Sequence, residues 1–260
     1  MSKTALITGA CINTGVAIVE KFAAEGYNVI FTGRNRESVA AAEARYQEKF
    51  PAANIKGCVI HSLAADGSVN EEGVKELFAA LDAAGIFIET LVLNAADQGL
   101  GIKIFENDLS DFVRVWNTNV VWNYCLCEQA ALRMKEQGGG NIVFVNSNTA
   151  YRAIPDRIAY VTSKGGQLGM MRALTMDLGK YGIRVNAVLP GMIRTDRWEK
   201  NPEFYAKVPS KYTPIGDVAE GADIADAVYY FAAHARNTTG AELVVDGGNT
   251  VQLYPIIPEN

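Results

Sequence analysis

Seven short apolar runs alternating with longer helical stretches restrict this chain to very few folds. The runs are TALIT (4–8), NVIFT (28–32), IKGCVI (55–60), TLVLN (90–94), NIVFVN (141–146), IRVNAVL (183–189) and ELVVD (242–246). They are continuously apolar rather than alternating, the pattern of strands covered on both faces. Helical segments are expected between them at roughly 15–26, 36–49, 70–84, 109–136, 159–180 and 218–233. Such alternation predicts an α/β fold, a doubly wound parallel sheet of about seven strands with right-handed crossovers and helices on both faces. No composition shift divides the chain, so 1–260 reads as a single domain. The stretch 192–216, with Pro202, Pro209 and Pro214, breaks the alternation and reads as a binding-site excursion; the tail 249–260 is too apolar to be a free solvated end.

A 49% hydrophobic composition over 260 residues is enough for one large core. The formal net charge of -5 and the lack of a basic block argue against nucleic acid as a partner. No apolar run approaches the ~20 residues of a membrane span, and Met1 leads straight into a strand rather than a signal peptide, so a cytoplasmic protein is expected. Cys11, Cys58, Cys125 and Cys127, with His61 and His234, lack metal-ligand spacing, and no metal is expected. Cys125 and Cys127, two apart in a helical run, are expected on different faces.

TGACINTG (8–15) joins a strand to a helix, where a phosphate-binding turn belongs. Gly9 permits the sharp turn, Gly15 lets the helix pack closely, and backbone N–H groups at the helix start would face a pyrophosphate. Asn13 stands in the middle glycine slot. Asparagine tolerates positive φ at a cost of about 1 kcal/mol, less than a decade in affinity. The second strand ends FTGRNRE: Gly33 removes the carboxylate that an NAD ribose would meet, while Arg34, with Arg36, offers charge to a 2′-phosphate. Cys11, near the helix start, has two readings, a thiol of lowered pKa or a small filler.

Tyr160 and Lys164 lie four apart in a helical stretch and project from one face. An ammonium beside a phenol pulls its pKa of ~10 toward neutrality, where it exchanges protons usefully. Ser147 follows the strand NIVFVN, at the sheet edge where ligands bind, and its hydroxyl suits a carbonyl oxygen.

Together these motifs resemble the short-chain dehydrogenases/reductases of about 250 residues, with a Rossmann-like fold, from about Lys3 to Gly248. The family's Thr-Gly-x-x-x-Gly-x-Gly turn corresponds to Thr8–Gly15 with Asn13 substituted. Its Asn-Asn-Ala-Gly signature appears as LNAA, so Asn94 and Ala95 match while Leu93 and Ala96 depart. An aspartate commonly found after the third strand is replaced by Ser62, with Leu63 next. The resemblance implies a catalytic set of Asn119, Ser147, Tyr160 and Lys164. Ser147 and Tyr160 would hold a carbonyl oxygen, Tyr160 would exchange the proton, Lys164 would bind the nicotinamide ribose, and Asn119 would anchor a water relaying protons outward. It implies a cofactor site of Gly9, Cys11, Asn13, Thr14, Gly15, Arg34, Asn35, Ser62, Leu63, Asn94, Ala95, Tyr160, Lys164, Pro190, Gly191, Ile193 and Thr195, with NADP(H) favoured and NAD(H) the alternative.

The expected activity is interconversion of a ketone and a secondary alcohol by hydride transfer. The departures leave open a non-redox relative with a degenerate dinucleotide site, although the halohydrin dehalogenases carry arginine where Lys164 stands. Enoyl-thioester reductases space their tyrosine and lysine more widely. The substrate pocket is expected from Gln98–Ile104, Thr149–Asp156 and Met192–Tyr212, with Tyr151, Met192, Trp198, Phe204 and Tyr205 as candidate lining; steroid, acyl and sugar-derived ketones all remain open. The resemblance implies a homotetramer or homodimer. The tail either covers a neighbour's pocket or packs on its own subunit.

Overall fold

The computed structural model describes residues 3–195, 198, 200–206 and 208–255, and of residues 204, 205 and 210 only the backbone. In chain order the elements are β1 (Thr4–Ile7), α1 (Asn13–Ala24), β2 (Asn28–Gly33), α2 (Arg36–Lys49), β3 (Ile55–Val59), α3 (Glu71–Ala83), β4 (Thr90–Leu93), α4 (Leu109–Trp116), α5 (Trp122–Glu136), β5 (Gly140–Val145), α6 (Ile158–Leu178), β6 (Ile183–Pro190), α7 (Pro202–Ala206), α8 (Val208–Tyr212), α9 (Gly221–Tyr229) and β7 (Glu242–Val245). The seven strands form one sheet in the order β3-β2-β1-β4-β5-β6-β7, every neighbouring pair parallel.

Alternate strand residues feed two cores, which is why no polar alternation marks the sequence. Ala5, Ile7, Val92, Val143, Val145 and Val188 join α1, α2 and α9 on one face. Leu6, Leu91, Leu93, Ile142, Phe144 and Leu189 join α3, α5 and α6 on the other. Each fully buried Leu, Ile, Val or Phe side chain contributes about 1.5–3 kcal/mol. Helix starts are closed by side-chain acceptors for otherwise orphaned N–H groups: Asn35 accepts from Ser38 N at 2.8 Å and Asn70 from Gly73 N at 3.0 Å.

Three expectations change. The helix expected over 109–136 is interrupted by a π turn at Asn117–Val121, where buried asparagines replace part of the helical ladder with side-chain bonds. The helix expected from 218 starts at Gly221, behind a capping box of Glu220 and Asp223, and ends in a second π turn at Tyr230–His234. Arg184 secures that turn by donating to the carbonyls of Phe231 (2.7 Å) and Ala232 (3.2 Å). Thirdly, Cys125 and Cys127, two apart on α5, are both buried in one core, because α5 packs against both the sheet and α3.

The excursion after β6 holds α7 and α8. The described part of the tail is fastened to its own chain. Arg152 donates to the carbonyls of Thr250 and Gln252, Asn249 Nδ2 to Tyr212 O at 2.8 Å, and Gln252 Nε2 to Lys211 O at 3.1 Å. It therefore ties the loop after β5 to the excursion. Among the described residues no helix is long and apolar enough to cross a membrane.

Candidate active site

The sheet order changes direction between β1 and β4, and the crevice beyond their C-terminal ends is where an open α/β sheet binds ligands. Thr8, fully buried, latches the two strand ends together: its Oγ1 accepts from the N–H groups of Asn94 and Ala95, both at 3.0 Å. Asn94 Nδ2 donates to the carbonyls of Thr8 and Gly9, both at 3.0 Å, so its side chain fixes the glycine turn from below. Gly9 has φ 64, and a methyl group there would meet Ala95 Cα at 2.8 Å. A methyl on Gly15 would meet Ala10 Cα at 2.6 Å. Asn13 has φ 50, the left-handed conformation that a glycine in its slot would take, and it opens α1 with its side chain exposed. Leu93 departs from the family signature because it lies in the core beneath the sheet. Thr14 is half-buried beside Gly15 at the start of α1.

At the end of β2, a Cβ on Gly33 would lie 2.5 Å from Cys11 Sγ and 2.6 Å from Val39 Cγ2, so this position has no room for a carboxylate side chain. Cys11 is therefore a filler, and burial pushes its thiol up from its ordinary value rather than down. Arg34 and Arg36 are exposed beside it, and Arg45 donates to Cys11 O at 3.3 Å. Asn35 spends its side-chain oxygen on the α2 cap, which leaves the expected cofactor contact to its remaining atoms. Ser62 shares a 3.2 Å hydrogen bond with Thr118, and Leu63 pairs with Val69 in an isolated bridge.

Beyond β5 and β6 the structure gathers the expected catalytic residues into one polar cluster between β5, the π turn and α6. Asn119 is fully buried. Its Nδ2 donates to Asp97 O (2.8 Å) and Ser163 Oγ (2.9 Å), and its Oδ1 accepts from Asp97 N (2.7 Å). Its carbonyl accepts from Gln167 Nε2 (2.7 Å) and Asn123 Nδ2 (2.9 Å). Two side-chain amides thus meet that carbonyl. Ser147 is buried and accepts from Thr149 Oγ1 at 2.9 Å. Lys164 is 1% exposed; its Nζ donates to Val145 O (3.0 Å) and Gln167 Oε1 (3.1 Å) and lies 5.5 Å from the Tyr160 ring centroid.

The electrostatics differ from the expected pattern. Burial pushes the Tyr160 phenol above its ordinary 10, against its hydrogen bond to Ser147 and the charge of Arg157. Burial also pushes Lys164 down to about 7. In the free chain Tyr160 therefore holds its proton at neutral pH, and Lys164 is an ammonium only part of the time. Desolvation has outweighed the pairing that spacing alone suggested.

Past the end of β6, a Cβ on Gly191 would meet Asp246 Cβ at 2.5 Å, and Gly191 N donates to Val245 O at 3.0 Å after Pro190 ends the strand. Ile193 bridges to Ala219 and Thr195 is half-buried, its carbonyl accepting from Trp198 N at 2.8 Å. Of the substrate candidates, Met192 is half-buried beside this loop. Tyr151 is exposed, and its hydroxyl donates to Glu242, the first residue of β7, which lies level with Phe144 near the end of β5. Trp198 folds back, donating Nε1 to Ile193 O at 3.1 Å, and lines a cavity of about 400 Å³ with Arg194, Pro202, Ala206, Pro209, Gly216 and Asp217. The side chains of Phe204 and Tyr205 lie outside the described residues.

Four residues of the site went unread in the sequence: Asp97, Asn123, Asn146 and Gln167. Asp97 pairs with Arg114 and bonds Gly99 N at 2.8 Å. Asn123 and Gln167 were findable, since they lie four residues after Asn119 and three after Lys164, amides on helix faces otherwise turned to the core.

A family model described as enoyl-(acyl carrier protein) reductase matches residues 9–250. A 3alpha-hydroxysteroid dehydrogenase of Mediterraneibacter gnavus is 32% identical over 95% of this chain and 96% of its own length. An L-rhamnose 1-dehydrogenase (NAD(P)(+)) of Azotobacter vinelandii is 34% identical over 97% of this chain and 98% of its own. The crystal structure of L-sorbose reductase from Gluconobacter frateurii, complexed with NADPH and L-sorbose, superposes with a TM-score of 0.87 at 25% identity over 97% of this chain and 98% of that one. The matches span the glycine turn, the Ser147–Tyr160–Lys164 cluster and the last strand alike, and the chain belongs to the short-chain dehydrogenase/reductase family, as an NAD(P)-dependent enzyme of the class acting on CH–OH groups.

Proposed function

We propose that the protein interconverts a ketone and a secondary alcohol with Tyr160 as general acid and base, using NADP(H) in preference to NAD(H). The observation that carries this reading is the gathering of buried Ser147 and Lys164 around half-buried Tyr160 at one end of the sheet, with a phenol that keeps its proton at neutral pH. The residues fit a dinucleotide. Asn13 holds the positive φ of the turn, Gly9 and Gly15 stand where a side chain would collide, and the Gly33 position excludes the carboxylate that an unphosphorylated ribose favours. Exposed Arg34 beside Gly33 is suited to a 2′-phosphate.

The dinucleotide, when bound, supplies or takes up the hydride. Tyr160 and Ser147 hold the substrate oxygen by hydrogen bonds. In the reductive direction Tyr160 gives its phenolic proton to that oxygen; in the oxidative direction it must first lose that proton, which burial opposes. Lys164 Nζ, held against Val145 O and Gln167 Oε1, stabilises a phenolate to the extent that it is itself protonated. At neutral pH the phenol is therefore in the protonated form that the reductive step uses. The four-residue spacing of Tyr160 and Lys164 supports carbonyl rather than enoyl chemistry. We further propose that 1–260 works as one catalytic unit, assembled as a homodimer or homotetramer in the cytoplasm, with the excursion closing over the substrate.

Titrating the protein with NADPH and NADH, read by nicotinamide fluorescence, tests the assignment. Saturable binding of NADPH, at least about tenfold tighter than NADH, is expected from a charge-assisted phosphate contact. No saturable response to either dinucleotide would refute it.

A further inference from the structure

Gln167 lies on α6 one turn beyond Lys164, 1% exposed, where an amide is costly to bury unless its polar atoms are paired. Here they are paired with the machinery of the site. Oε1 accepts from Lys164 Nζ at 3.1 Å and from Asn146 Nδ2 at 3.0 Å, while Nε2 donates to Asn119 O at 2.7 Å. Asn146 Nδ2 also donates to Lys164 O at 3.0 Å, and its Oδ1 accepts from Ser147 N at 2.7 Å. One side chain thus touches, directly or through Asn146, the supports of Lys164, Ser147 and Asn119. Its acceptor end meets the one cation of the cluster and its donor end meets a carbonyl, so rotating the amide by half a turn would set N–H groups against Nζ and oxygen against oxygen. The orientation is dictated from both sides.

We propose that Gln167 is a positioning residue for the reaction: its amide bridges the Lys164 ammonium to the carbonyl of Asn119 on the π turn, holding Nζ beneath the Tyr160 ring and filling with a non-ionisable group the gap between lysine and helix. The inference rests on the functional reading of Tyr160 and Lys164 given above. A leucine or methionine at this position would fill the same volume but leave Nζ with Val145 O as its remaining acceptor. The groups set against Lys164 Nζ are Val145 O from β5, and Tyr160 and Gln167 from α6. Among them only Tyr160 is ionisable, and no carboxylate meets Nζ among the described residues. Among the described residues the Gln167 amide oxygen is thus the side-chain acceptor of Nζ, and changing it changes the field at the ammonium.

The test uses full-length protein labelled in its lysine side chains, with the Lys164 signal assigned by Lys164→Met and folding followed by thermal melts. Gln167→Glu places a carboxylate on Nζ and is expected to raise the Lys164 midpoint by about one pH unit or more; Gln167→Leu is expected to lower it. In turnover, Gln167→Leu is expected to lose about tenfold in kcat with substrate KM changed less than about threefold, the split of a residue acting on chemistry rather than binding. Its pH profile should shift with the lysine midpoint. A Lys164 midpoint unmoved in the folded Glu and Leu variants would overturn the proposal, and if the Leu variant does not fold, the Glu variant decides. The titration is made on the protein alone, so it judges Gln167 even if an active Tyr160→Phe variant overturned the functional reading.

Discussion

Lys164 offers a prediction whose size follows from its surroundings. Burial lowers its pKa from 10.5 to about 7. At ~1.4 kcal/mol per pH unit, that difference corresponds to about 5 kcal/mol by which the folded state disfavours the proton relative to the unfolded chain. The sign is that of a depressed lysine. Below pH 7 the native state bears the whole cost, because the unfolded chain keeps the proton freely. Between pH 7 and 10.5 the unfolded state binds more protons than the native one, so stability rises with pH; above 10.5 the cost is gone. Lys164→Met keeps the apolar stem and removes the charge. It also removes the bonds to Val145 O and Gln167 Oε1, about 1 kcal/mol each. The variant is therefore expected to be inactive yet more stable than the wild type by about 2–3 kcal/mol at pH 7, with the advantage vanishing by about pH 10. Urea unfolding followed by circular dichroism at several pH values, at one protein concentration, measures both. A variant less stable at pH 7, or one with the wild-type pH slope, would refute the reasoning.

Other outcomes follow from the same geometry. Because burial holds the Tyr160 proton, kcat/KM for alcohol oxidation should climb about tenfold per pH unit from pH 7 to 9 while carbonyl reduction stays flat or falls; a plateau in oxidation below pH 8 would count against it. Arg34→Asp should weaken NADPH binding at least about tenfold with a much smaller effect on NADH, and equal losses would remove the arginine from cofactor selection. Asn13→Gly should leave dinucleotide affinity unchanged or tighten it by up to about fivefold, whereas Asn13→Val, β-branched at φ 50, should weaken it by more than about tenfold; indifference to valine in the same fluorescence titration would show that the turn does not touch the ligand.

The sheet was legible because both its faces are buried, so each strand reads as an uninterrupted apolar run whichever core its residues enter. Asn13 was legible for a related reason: its slot demands one backbone conformation, and asparagine is among the side chains that reach it. The break at Asn117–Val121 was not, since the apolar periodicity runs across it and the π turn is set by bonds from Asp97, Ser163 and Gln167 far away in sequence. The spacing of Tyr160 and Lys164 placed them on one face correctly. It carried no information on depth, and depth reversed the expected direction of the phenol's shift. Tyr151 and Trp198 read as pocket lining because they are aromatic residues in loops. Their hydrogen-bond partners, Glu242 and the Ile193 carbonyl, are named only by tertiary structure.

A single substitution puts the central claim at risk most directly. Tyr160→Phe removes the one phenolic proton beside Ser147 and leaves the glycine turn, Arg34 and Lys164 in place. Measured by nicotinamide absorbance with a reducible ketone, alongside a dinucleotide binding titration, the variant should bind NADPH within about threefold of the wild type and lose at least about a thousandfold in turnover, the scale on which general acid catalysis contributes. Turnover within tenfold of wild type, with binding intact, would contradict the assignment of Tyr160 as the proton donor.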